Sequence, residues 1–167
     1  MNRLAASMGV LCLSLAVVAS GCTARVNPRA EEAAAGETSR QAKAVAQIER
    51  LGGTVTVDEK RPGKPVIGVS LRHHEVIDAG LECLKELTQL QLLDLDHTQV
   101  TDAGLECLKG LTQLQLLDWE YTQITDAGLA NLKGLTKLQS LNLELTRVTD
   151  AGMKGLQKAL PNCLIQN

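Results

Sequence analysis

The chain has 167 residues, a formal net charge of −2 and 1% aromatic side chains. That length suits one domain. With no basic block, and only Trp119 and Tyr121 to stack on bases, the composition argues against a nucleic-acid partner.

Residues 1–21 read as an export signal. Asn2-Arg3 supplies a short basic start, Met8 to Val18 is an apolar run too short for a comfortable membrane span, and Ala19-Ser20-Gly21-Cys22 ends it. Small residues followed by cysteine resemble the lipobox of bacterial lipoproteins, with Ala19 where Leu is more usual. The resemblance implies cleavage before Cys22, diacylglycerol on its thiol (a palmitate-type anchor) and, in many bacteria, N-acylation. Two or three acyl chains anchor stably where one does not. Thr23 rather than Asp after the cysteine favours, by analogy with lipoprotein sorting, an outer membrane, with the protein facing the periplasm of a bacterial cell envelope. An ordinary secretory signal with a chance cysteine is the alternative.

Residues 22–40 follow as the lipidated cysteine and a flexible tether: Pro28, a run of alanines and mixed charges show no apolar periodicity. Between residues 41 and 65 the pattern changes. Ala44, Val45, Ile48 and Leu51 recur at helical spacing, Gly52-Gly53 ends the helix, and Thr54-Val55-Thr56-Val57 alternates as a strand. Asp58 to Pro65 is a turn rich in Pro, Gly and charge. With the strand from Val66, these elements make an N-terminal helix–hairpin cap over a domain spanning 66–167.

That domain is written as a 24-residue repeat. Residues 78–100 and 102–124 differ only at Glu86/Gly110, Leu95/Trp119, Asp96/Glu120, His97/Tyr121 and Val100/Ile124; a third copy begins at Asp126 and a fourth opens at Asp150. Repetition at this period predicts a stacked array. Val69/Leu71, Leu93/Leu95, Leu117/Trp119 and Leu141/Leu143 alternate with polar residues, as short inward-facing strands do, and should stack in parallel about 4.8 Å apart. Leu81, Leu84 and Leu87, with their equivalents, form the buried stripe of a short helix. Asp78, Asp102, Asp126 and Asp150 are expected to N-cap those helices.

The pattern Leu90-x-x-Leu93-x-Leu95-x-x-Thr98, recurring from Leu114 and Leu138, resembles the leucine-rich repeat. The joining Val-Thr-Asp-Ala-Gly-Leu segment is similar to the helical-type repeats of ribonuclease-inhibitor-like and F-box-associated proteins. Leu160-Pro161-Asn162-Cys163 is similar to the last repeat of bacterial members. The resemblance implies an α/β fold: a short solenoid with parallel strands on the concave face and short helices on the convex face. It also implies protein recognition through the concave sheet. No F-box precedes the repeats, so no ubiquitin-ligase role is carried over. Thr stands where many such repeats have Asn or Cys, so a hydroxyl ladder should replace the usual Asn ladder. Trp119 in a core Leu site requires a local expansion of the core or a shift of the strand.

The residues that alternate with the core leucines fall into columns on the concave face. Leu92 and Leu116 share one, Asp94 and Asp118 the next, and Arg72, Asp96, Glu120 and Glu144 a third, followed by His73, His97, Tyr121 and Leu145. Crowded carboxylates repel one another, and a basic partner would relieve that repulsion. Asp94, Asp96, Asp118, Glu120, Tyr121, Glu144, Leu92 and Leu116 are therefore the expected contacts of a protein or peptide with a basic surface. A scaffold or spacer whose charged face recognises nothing specific is the alternative. His73 and His97 beside carboxylates suit a metal, yet repetition alone generates such clusters, so neither metal nor cofactor is expected. No enzyme signature is present, and catalysis is not expected. Cys83, Cys107 and Cys163 remain after Cys12 and Cys22; their odd number argues for reduced, partly buried thiols. Exposed edge strands at both ends leave self-association open.

Overall fold

A computed structural model describes residues 28–167, so the export signal and Cys22 lie outside the described residues. Helix α1 spans Pro28–Arg50 and so takes in much of the stretch expected to be a flexible tether. Its sequence explains the extension. Alanines alternate with Glu, Gln, Arg and Lys, all strong helix formers, and a proline is tolerated in the first turn. Its C-terminal part packs on the domain, with Ala44 and Ile48 buried, whereas residues 36–40 are exposed. Gly52, at φ +85°, ends the helix as expected. No helix among the described residues is long and apolar enough to cross a membrane.

Strands β1 (Thr54–Val57) and β2 (Val66–Ser70) form the antiparallel hairpin of the cap. From β2 onward the sheet is parallel, through β3 (Leu92–Asp94), β4 (Leu116–Asp118), β5 (Ser140–Asn142) and β6 (Leu164–Gln166), in sequential order. The register equals the sequence period: Gly68, Leu92, Leu116, Ser140 and Leu164 lie abreast, as do Ser70, Asp94, Asp118, Asn142 and Gln166. The columns read from the sequence are therefore real columns. Backbone bonds continue past the strands, as in His73 N–H to the Asp96 carbonyl (2.9 Å) and Tyr121 N–H to the Glu144 carbonyl (3.0 Å).

The convex side carries 3-10 turns at Asp78–Glu86, Gly104–Leu108 and Gly128–Leu132. Leu81, Leu84 and Leu87 are buried and recur every third residue, which matches the three residues per turn of a 3-10 helix. In the last repeat Leu156 and Leu160 are four apart, and there the chain forms a true α-helix, α2 (Asp150–Ala159). Burying each leucine contributes about 1.5–3 kcal/mol, available only when a neighbouring repeat covers it.

Two local expectations are corrected and a third is narrowed. The aspartates do not cap their own helices. Asp78, Asp102 and Asp126 each reach into the following repeat and accept both the backbone N–H and the hydroxyl of Thr101, Thr125 and Thr149, at 2.6–2.9 Å. The N-cap of α2 is Thr149, whose hydroxyl accepts from Gly152 N–H at 3.2 Å. Stacked parallel repeats put each carboxylate beside the entry to the next turn, where glycine leaves room for it: a Cβ on Gly104 would meet Asp78 Oδ1 at 2.6 Å.

Secondly, Thr98, Thr122 and Thr146 build no ladder between repeats. Each donates its hydroxyl to the carbonyl three residues back, Leu95, Trp119 and Leu143, at 2.7–2.8 Å. A threonine hydroxyl is too short to span two strands but long enough to close its own turn. At Trp119, of the two adjustments expected, the strand shift does not occur: the register is unbroken, the side chain is wholly buried in line with Leu95 and Leu143, and its Nε1–H has no partner among the described residues.

Cys83, Cys107 and Cys163 are unpaired thiols, the last two buried. Burial pushes all three pKa values up, and for Cys107 the Glu82 carboxylate adds to the effect. Thiolate formation is disfavoured, so these are packing residues.

Candidate functional site

The concave face is built by short parallel strands, and β2 to β5 each run into a turn made by a left-handed residue. His73, His97, Tyr121 and Leu145 have φ of 60°, 54°, 56° and 57°. That region costs an L-residue about 1–2 kcal/mol. Two devices hold it. Asp94, Asp118 and Asn142 each accept, through a side-chain oxygen, the N–H two residues on, from Asp96, Glu120 and Glu144, at 3.0–3.1 Å. The N–H groups of His73, His97 and Tyr121 bond to the next strand at 2.9–3.0 Å. Asp94 and Asp118, expected to repel, are thus employed in shaping the backbone.

Asp96 is corrected as a partner contact. It is only 3% exposed. Arg72 Nη2 reaches its Oδ2 at 2.9 Å, and His97 Nδ1 lies 2.5 Å from Oδ1. Arg72 also stands 3.9 Å from Asp94. It lies one strand before Asp96 in the same column, as the 24-residue spacing indicates, and so neutralises a carboxylate that the column alone presents as free. The acidic character therefore shifts towards the C-terminal repeats, where Asp118 and Glu120 are half-buried and Glu144 is exposed, with no cation paired to them among the described residues.

The remaining expected contacts stand in the open. Leu92 is 40% exposed, Leu116 45% and Tyr121 58%. Leu145, passed over as a contact in the sequence, is 68% exposed because the left-handed turn throws it outward. His73, His97 and Tyr121 form a continuous ring column: centroids are 4.8 Å apart for the first pair and 4.5 Å for the second, the latter stacked at 5°. Two shallow grooves flank the acidic column. One, of about 410 Å³, is lined by His97, Gln99, Tyr121, Gln123, Leu145 and Arg147. The other, of about 320 Å³, runs over Leu92, Leu116, Asp118 and Asn142.

A family model described as "Leucine Rich repeat" matches residues 87–109 and 134–156. The repeats are leucine-rich repeats. The solenoid is similar to an internalin from Listeria monocytogenes, with a TM-score of 0.51 and 22% identity over 65% of this chain and 32% of that one. The leucine-rich-repeat chain thus spans about a third of that internalin. It also resembles a leucine-rich-repeat protein of Leptospira interrogans (TM-score 0.45, 22% identity, 52% of this chain and 21% of that one). A second Listeria internalin gives a TM-score of 0.42 and 32% identity over 50% of this chain and 34% of that one. No curated protein sequence matches the chain. Leucine-rich-repeat proteins generally bind other proteins, and members of this kind are typically interaction modules without enzymatic activity.

Proposed function

We propose that the chain is a lipid-anchored interaction module, held at Cys22 to the outer membrane of a bacterial envelope, whose concave face binds an extended protein segment with a basic surface. The observation that carries this reading is the juxtaposition of Tyr121 and Leu145, both exposed and fixed in left-handed turns, with the carboxylates of Glu120 and Glu144 beside them. Rigid apolar side chains lose little entropy on docking, and unneutralised acids beside them select basic partners. A spacer gains nothing from four strained residues in one column.

The test is cross-linked capture from envelope extracts with the full chain, run beside a Glu120→Lys/Glu144→Lys bait. Asp94 and Asp118 are left intact because they hold the backbone. A partner held by the wild type, released by raised salt and lost by the variant supports the reading. Identical capture by both baits discards the acidic face in favour of a scaffold. Labelled-palmitate incorporation, present in the wild type and absent in Cys22→Ser, tests the anchor separately.

A further inference from the structure

Two imidazoles and one carboxylate meet at the N-terminal end of the concave face. One ligand-capable atom from each of His73, Asp96 and His97 lies within 4.8 Å of the other two, the only such trio among the described residues. We infer that His73, His97 and Asp96 form a binding site for a divalent transition-metal ion of the zinc class, with the remaining coordination position open to solvent or to a donor from a bound partner.

Two histidines and a carboxylate around an open position are a donor set zinc accepts. Ligand bonds near 2.0–2.2 Å place donor atoms roughly 3.3 Å apart, so the widest separation of the trio must close by about an ångström or two while His97 Nδ1 and Asp96 Oδ1, now 2.5 Å apart, give up their hydrogen bond and open slightly. His73 and His97 are exposed, so His73 can swing towards the other two donors, while Asp96 is buried and His97 is held between Asp96 and Tyr121. Arg72 holds Asp96 Oδ2, leaving Oδ1 towards the histidines. Stacking on Tyr121 sets the plane of the His97 ring.

Arg72 opposes a cation, but Asp94, Asp96, Asp118, Glu120 and Glu144 outnumber it on the same face. The left-handed backbone does not by itself call for histidine, since Tyr121 and Leu145 occupy the equivalent positions. Of the five differences between residues 78–100 and 102–124, two are Asp96/Glu120 and His97/Tyr121, so near-identical repeats diverge at this cluster.

The test is calorimetric titration of the reduced full chain with zinc ion, with the imidazole NMR signals followed in parallel. His74, half-buried beside Gly52 in the cap, is the internal control. The expected result is one zinc per chain, with the His73 and His97 signals shifted and those of His74 unmoved. Affinity should fall at least about tenfold in His73→Ala, His97→Gln and Asp96→Asn and persist in His74→Gln. His73 is exposed, so its substitution leaves the fold intact even if Asp96→Asn does not. Absence of heat with unmoved imidazole signals overturns the site. So does binding that survives His73→Ala/His97→Gln, or that disappears only when Cys83, Cys107 and Cys163 are replaced by serine.

Discussion

Asp102 accepts two hydrogen bonds from Thr125 of the next repeat, one from its backbone N–H at 2.9 Å and one from its hydroxyl at 2.6 Å. The same pair recurs between the other repeats and couples neighbours that otherwise share leucines and strand bonds. Bonds to a charged acceptor contribute about 1.5–3 kcal/mol each when buried, and partial exposure reduces this. Asp102→Ala should therefore cost about 2 kcal/mol. Thr125→Val keeps the backbone bond and should cost about half as much. Urea unfolding followed by fluorescence of Trp119, the sole tryptophan, measures both.

Asp126 should shape the acid limb of stability. The Thr149 hydroxyl bond, then the Thr149 backbone N–H, lowers its pKa below the ordinary 3.8. A depressed folded-state pKa contributes stability above the unfolded value, lost as pH falls through the folded one. The loss therefore sets in below about pH 4. Asp126→Asn should lower the urea midpoint at neutral pH and narrow its gap to the wild type at pH 2–3. A gap that stayed constant across that range would refute the linkage.

Two glycines should respond in opposite directions to alanine. At Gly128 a Cβ would collide with Asp102 Oδ1 and Leu105 Cδ1, breaking the contact between repeats. At Gly110 it meets nothing within 4 Å. Gly110→Ala should stabilise by about 0.5 kcal/mol through the unfolded chain, and Gly128→Ala should destabilise by more than 1 kcal/mol. Paired thermal melts decide the sign.

Leu145 offers a trade between stability and binding. It is exposed and left-handed, a conformation asparagine tolerates better. Leu145→Asn should raise stability by up to about 1 kcal/mol while weakening capture of the partner. Unchanged capture would remove Leu145 from the interaction face.

Trp119 fills a leucine position at the cost of an unpartnered indole N–H. An unsatisfied buried donor costs about 1–3 kcal/mol, close to what shrinking the side chain to leucine forfeits. Trp119→Leu should be neutral to within about 1 kcal/mol, whereas Leu143→Ala, with nothing to relieve, should cost about 2–5 kcal/mol. Circular-dichroism melts serve both, since the first removes the fluorophore.

The array, its register and its inward leucines were legible in the 24-residue period, because identical spacing puts equivalent residues abreast whatever else the chain does. The triplet spacing of Leu81, Leu84 and Leu87 also carries three residues per turn, the mark of a 3-10 rather than an α-helix. Contacts between columns and repeats were not legible. Asp78 could cap its own turn or the next, Thr98 could bond along or across strands, and Asp96 could face solvent or Arg72. Each choice depends on distances of a few ångströms set by how the stacked repeats curve and by which neighbour arrives first. A residue's type states which bonds it can make; only the folded array decided which partner was within reach.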